Sequence, residues 1–138
     1  MQNRNIKITI LDDDLFFGTL ISRFLANLGY SDITHFINKD ECLAEAQEDL
    51  YCIYILDQEL DATSGIEIMK EIQKINNKAV FIFLSGQEYC HIAIKALREG
   101  ATDYIEKNNS TLSDLDKILN FVIDSGYEDS KEYNRLAV

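Results

Sequence analysis

The chain has 138 residues with 46% hydrophobic content and 10% aromatics, enough for one globular domain with a real core. Its formal net charge of −11 opposes direct nucleic-acid binding, where Lys and Arg on phosphates supply most of the affinity, and opposes attachment to anionic membranes. No apolar stretch reaches the roughly 18 residues of a membrane span, and Met1–Asn5 lacks a secretory apolar core, so a cytoplasmic location is expected. Cys42, Cys52 and Cys90 lack metal-type spacing and read as small buried hydrophobes in a reducing compartment.

Proline is absent, so punctuation falls to Gly, Asn and Asp. Ile8-Thr9-Ile10-Leu11 reads as a first strand running into Asp12-Asp13-Asp14. Residues Leu15–Leu28 follow with helical apolar spacing and stop at Gly29. A short polar strand near Ile33–Phe36 fits a sheet edge, and Asn38 then caps a helix over residues 39–50. The apolar strand Tyr51–Leu56 runs into Asp57, and a polar loop leads to Gly65 and a helix over Ile66–Ile75. Strand Ala79–Leu84 runs into Ser85, followed by a helix near Glu88–Glu99 closed by Gly100. The strand Asp103-Tyr104-Ile105-Glu106 runs into Lys107, and a last amphipathic helix with Leu112, Leu115, Ile118, Leu119, Val122 and Ile123 on one face ends near Gly126.

The order is (βα)₅, which predicts an α/β doubly wound, flavodoxin-like domain with a five-stranded parallel sheet in the order 2-1-3-4-5. Central strands that are almost purely apolar fit burial on both faces. Ligands of such sheets bind at the carboxyl ends of the strands, beside the switch point between strands 1 and 3. Those two strands deliver Asp12-Asp13 and Asp57, while Ser85 and Lys107 follow strands 4 and 5.

Carboxylates gathered in one crevice repel, by about 3 kcal/mol for a pair about 5 Å apart at an effective dielectric near 20. An all-oxygen, partly hydrated site favours Mg²⁺, with room left for a phosphoryl oxygen. Asp57 can act as a carboxylate nucleophile, Lys107 can neutralise phosphoryl charge, and the Ser85 hydroxyl can donate a hydrogen bond. Each residue has a plainer reading alone: Asp12–Asp14 as helix caps, Asp57 as an Asx-turn, Ser85 as a cap, Lys107 as a surface lysine. Their joint placement after four strands is what argues for a site. His35 and His91 lack partners at ligand spacing and read as structural or surface residues.

On these residues the chain resembles a response-regulator receiver domain, single-domain and similar to chemotaxis regulators, over residues 6–125. The resemblance rests on the acidic pair after strand 1, the stretch Asp57–Gly65 with its glycine eight residues after the aspartate, and the stretch Gly100–Lys107. It implies a two-component or phosphorelay role: Asp57 receives phosphate from a histidine kinase or phosphotransfer protein. It further implies Mg²⁺ held by Asp13, Asp57 and the backbone carbonyl of Glu59, with Asp12 acting through water. Ser85 and Tyr104 match the family's switch pair, which would alter a target-binding face of helix 4, strand 5 and helix 5. Such a protein is a phosphoacceptor rather than an enzyme in the ordinary sense, catalysing its own phosphoryl transfer and slow dephosphorylation. Residues 1–126 form the receiver domain on this reading and 127–138 a tail too short for an output domain.

Three positions depart from the family pattern. Asp61 and Asn108 replace two prolines, and Glu59 puts a carboxylate beside the site, where it and Gln87 bear on phosphate lifetime. A cis bond before a non-proline residue costs about 2.5–4 kcal/mol, so a trans Lys107–Asn108 peptide is expected. Two rivals fit less well. A haloacid-dehalogenase-type phosphatase would use Asp12-Asp13-Asp14, Ser85 and Lys107 but leaves Asp57 without a role, and an FMN protein would not place three aspartates at its phosphate loop. A receiver used only as an unphosphorylated binding module would not need the full set of chemical residues.

Overall fold

The computed structural model describes residues 4–60, 63–86 and 90–137, with side chains described for the same residues except 90 and 126–137. Five strands, β1 (Ile8–Leu11), β2 (Ile33–Phe36), β3 (Cys52–Asp57), β4 (Ala79–Ser85) and β5 (Asp103–Glu106), alternate with helices α1 (Leu15–Asn27), α2 (Lys39–Ala44), α3 (Gly65–Ile75), α4 (Cys90–Arg98) and α5 (Thr111–Ala137). All strand pairs are parallel, and the sheet order is β2-β1-β3-β4-β5. This is the doubly wound order expected from the sequence, with β1 and β3 adjacent at the switch point.

The two-residue period of a strand divides the core between the two sheet faces. Ile8, Ile10, Ile53, Ile55, Val80, Ile82 and Leu84 pack with Ile21 and Leu25 of α1 and Leu115, Leu119 and Val122 of α5. The alternate residues Leu11, Tyr54, Leu56, Phe81 and Phe83 pack with Ile66, Met69 and Ile72 of α3 and Ala96 of α4. Strands β1, β3 and β4 are buried throughout, whereas β2 is partly exposed along its length, as an edge should be. Cys42 and Cys52 are buried and unpaired, and burial pushes their thiols up to about 12 and about 11.

Three boundaries differ from the sequence expectation. Helix α2 ends at Ala44 rather than near residue 50. The amides of Glu45 and Ala46 turn back to the carbonyls of Cys42 and Leu43, tightening the last turn, and Asp49 takes a positive φ of 54°. Helix α1 stops at Asn27, with Leu28 as its C-cap and Gly29 at φ 99°. Helix α5 passes through Gly126 and runs to Ala137, so the expected end near Gly126 falls inside it. A glycine in a helix costs only about 0.5–1 kcal/mol relative to alanine, and Lys131, Glu132, Arg135, Leu136 and Ala137 are good helix formers. Glu88, where the fourth helix was expected to begin, lies outside the described residues, as do Asp61 and Gln87.

Candidate functional site

Chain direction brings the ends of β1, β3, β4 and β5 to one edge of the sheet. The three consecutive aspartates after β1 divide their work there. Asp14 caps α1, its carboxylate accepting from the Phe17 amide at 3.2 Å. Asp12 is turned inward at 1% exposure, and its Oδ1 accepts from the Asp14 amide at 2.9 Å. Asp13 is exposed beside a cavity of about 220 Å³ that Asn38, Leu60 and Thr63 also line.

Asp57 is the last residue of β3 and is 4% exposed. Its Oδ1 accepts from the Glu59 amide at 3.4 Å. Gly65 opens α3 directly against this strand end, where a Cβ would lie 2.6 Å from the Asp57 backbone oxygen and 2.6 Å from the Phe83 ring. The glycine eight residues after the aspartate is therefore a requirement of close approach.

Lys107 follows β5, and its backbone amide donates to the Ser85 oxygen at 2.7 Å. Its Nζ reaches across the sheet to Asp12 Oδ2 at 3.0 Å and Asp57 Oδ1 at 3.4 Å, and lies 4.5 Å from the Phe17 ring centroid. The Lys107–Asn108 peptide is trans, no cis bond being present among the described residues. A compact cap holds the loop in place of a proline. Thr111 Oγ1 accepts from the Asn108 amide at 2.8 Å and lies 2.9 Å from the Glu106 oxygen, while Asn108 Oδ1 accepts from the Ser110 amide at 2.8 Å.

Ser85 ends β4 and is fully buried. Its hydroxyl donates to Glu59 Oε1 at 2.6 Å, and the Gly86 amide donates to Glu59 Oε2 at 3.4 Å. The Glu59 carboxylate thus turns toward Ser85 and does not join the aspartate cluster. Tyr104 on β5 stacks on Phe83 with ring centroids 6.1 Å apart. Its hydroxyl is sealed from solvent without a hydrogen bond of normal geometry, and burial raises its pKa, partly offset by the neighbouring Ser85 hydroxyl.

Burial and the charge of Asp12 raise the Asp57 carboxyl to about 7, against the opposing pull of Lys107 and the Glu59 amide. Burial alone would depress the Lys107 ammonium, but the hydrogen bond and charge of Asp12, with the charge of Asp57, hold it above the usual lysine range. One ammonium therefore only partly balances the cluster. Carboxylate oxygens of Asp12, Asp13 and Asp57 lie within 4.8 Å of one another, an all-oxygen donor set open to solvent at Asp13. That chemistry fits a hard divalent cation.

Asp12, Asp13, Asp57 and Lys107 thus meet as expected, with Ser85 and Glu59 paired beside them and Tyr104 behind Ser85. His35, read from the sequence as structural or surface, is structural, its Nε2 lying 2.8 Å from the Asp12 backbone oxygen, whereas Phe17 beside Lys107 was not foreseen. The available signal for His35 was Gly18: a glycine inside a helix, where a Cβ would fall 2.1 Å from the His35 ring.

The sequence and fold comparisons give the family and the fold. The response regulator receiver domain model matches residues 8–120, and the chain belongs to that family of signalling domains. It is 26% identical over 107 residues to the transcriptional regulatory protein ZraR of Escherichia coli strain K12, covering 78% of this chain and 24% of that protein. It is 27% identical over 107 residues to the response regulator protein TodT of Pseudomonas putida strain F1, covering 78% of this chain and 47% of that protein. The match therefore spans 24% and 47% of the length of these two curated relatives. The BeF₃-activated DrrB receiver domain superposes with a TM-score of 0.73 at 25% identity, over 85% of this chain and 97% of that one. A CheY-like receiver domain protein from Methanospirillum hungatei JF-1 shares the fold, with a TM-score of 0.75 at 21% identity over 93% of this chain and 98% of that one. No helix among the described residues is long and apolar enough to cross a membrane.

Proposed function

We propose that this receiver domain takes a phosphoryl group from a phosphohistidine of a histidine kinase or phosphotransfer protein onto Asp57 and switches a partner-binding face in response. The observation that carries this reading is Lys107 bridging Asp12 and Asp57 across the sheet, beside the three converging aspartates. An Asp57 carboxylate oxygen attacks phosphorus, the P–N bond breaks, and its electron pair leaves on the imidazole, so an acyl phosphate forms. Lys107 would neutralise one phosphoryl oxygen, and the Ser85 hydroxyl and Gly86 amide would donate to the others. Asp12, Asp13 and Asp57, with the Glu59 carbonyl, are the residues that would hold Mg²⁺. When bound, that ion offsets carboxylate repulsion and phosphoryl charge.

Leu15 and Phe16, 65% and 78% exposed, stand beside the acidic loop and give a donor protein an apolar foothold next to the acceptor. Phosphorylation adds about −1.5 to −2 charge, which draws Ser85 and Lys107 and biases the packing of Tyr104 on the α4–β5–α5 face that meets the target. Catalysis is confined to the domain's own phosphorylation and slow loss of the phosphate to water, in the cytoplasm with the kinase.

The test is incubation with acetyl phosphate and Mg²⁺, followed by intact-protein mass measurement. Wild type should gain one phosphoryl group, Asp57→Asn none, and chelation should abolish the gain. A gain that persists in Asp57→Asn would overturn the assignment.

A further inference from the structure

The Glu59 carboxylate accepts from both the Ser85 hydroxyl and the Gly86 amide, the donors that the proposed function assigns to the phosphoryl group, though Glu59 itself is an exposed loop residue. The Ser85 Oγ to Glu59 Oε1 distance of 2.6 Å falls in the range of charge-assisted hydroxyl–carboxylate bonds, which are roughly twice as strong as neutral ones. A carboxylate and a phosphoryl group present the same recognition chemistry here: two anionic oxygens, one for a hydroxyl and one for a backbone amide. Lys107 is committed elsewhere, to Asp12 and Asp57. Ser85 is fully buried, so its hydroxyl has no direct recourse to solvent.

We propose that Glu59 is an internal occupant of the phosphoryl-recognition donors, so that an incoming phosphoryl group must displace its carboxylate from Ser85 and Gly86. Glu59 is then a positioning residue for phosphoryl acceptance, and the inference rests on Asp57 being the acceptor. The exchange leaves no hole in the protein, because an exposed side chain can swing into water. It also accounts for the starting state of the switch pair. Ser85 is already engaged toward the site, and Tyr104 already lies on Phe83 with its hydroxyl buried.

The experiment is titration of the full chain with beryllofluoride in excess Mg²⁺, followed by ¹⁵N NMR, for wild type, E59Q, E59A and Asp57→Asn. Neither Glu59 substitution removes core, so all four proteins should fold. Hydrogen bonds to charged groups are worth about 1.5–3 kcal/mol, so E59A should bind about tenfold or more tightly than wild type. E59Q keeps an acceptor for Ser85 but loses the charge, and should fall between the two. Equal gains in E59Q and E59A would mean that only bulk charge had been removed, and would overturn the competition. E59A binding no tighter than wild type would overturn it too, leaving acceptance at Asp57 intact. If neither wild type nor the Glu59 variants bind more than Asp57→Asn does, the acceptor reading fails and this inference with it.

Discussion

His35 Nε2 lies 2.8 Å from the backbone oxygen of Asp12, tying edge strand β2 to the acidic loop at the end of β1. A carbonyl oxygen only accepts, so the ring carries its proton on Nε2 and donates. Gly18 on α1 makes the contact possible, because a side chain there would occupy the space of the ring. Gly18→Ala should destabilise the domain by about 1–3 kcal/mol, the usual cost of overpacking, by forcing His35 off Asp12. The same substitution in a His35→Ala background should cost far less, since the clash is gone. Urea denaturation of the single and double variants checks this, and additive costs would refute the coupling.

The Asp57 carboxyl, at about 7 against an ordinary 3.8, makes stability depend on pH when no cation is present. Its folded pKa lies above its unfolded value, so folding takes up a proton between those values and stability falls as pH rises from about 4 to about 7. The full effect above pH 7 is on the order of 4 kcal/mol at most. Asp57→Asn should flatten the profile, and excess Mg²⁺ should restore most of the loss at pH 7.5 or so. Urea midpoints measured across this window in chelator, and again in Mg²⁺, would decide it; a flat chelator profile for wild type would count against the raised carboxyl.

Thr111, 2% exposed, satisfies the Asn108 amide in the loop that carries Lys107. Thr111→Val keeps the shape but leaves that amide without its acceptor. Asn108 is exposed, so water can partly replace the acceptor and the cost should be the net worth of one hydrogen bond, about 0.5–1.5 kcal/mol, most of which Thr111→Ser should recover. Because the loop sets Lys107, the valine variant should also accept phosphate from acetyl phosphate more slowly than the serine variant. Matching rates with matching stabilities would show that the cap is dispensable.

Tyr104→Ala removes a half-buried ring from Phe83 without touching the aspartate cluster. Its stability cost should stay below the 3–5 kcal/mol or so of a fully buried aromatic truncation. Phosphorylation of Asp57 should remain largely intact, while the response of a target protein to phosphorylation weakens. A target that responds normally to the phosphorylated variant would exclude Tyr104 from the switch.

Strands, their order and the edge where the chemistry gathers were legible in the chain because each rests on local pattern. Apolar runs of four to seven residues mark β1, β3 and β4, the two-residue period sorts their faces, and parallel direction puts every following residue at one edge. The acidic pair, Asp57, Ser85 and Lys107 could therefore be assigned to one crevice before any contact was known. Helix ends were read less well at α2 and α5. At α2 the end was set by carbonyl-seeking amides after Ala44, and at α5 Gly126 was too weak a breaker to act alone.

Partnership was decided only by the tertiary structure. Lys107 and Asp12 stand 95 residues apart in sequence, Ser85 and Glu59 26 apart, and His35 and Asp12 23 apart. No periodicity encodes which acceptor a lysine or serine finds, because several carboxylates of equal chemistry lie within reach of the same strand ends. The choice follows from backbone placement: β5 beside β4 aims Lys107 across the sheet, and the Gln58 amide, bonded to the Leu84 oxygen, sets Glu59 beside the end of β4. Sequence thus set the inventory of charged groups at this edge, and packing distances of a few ångströms set their pairing, because hydrogen-bond and Coulomb energies fall away within that range.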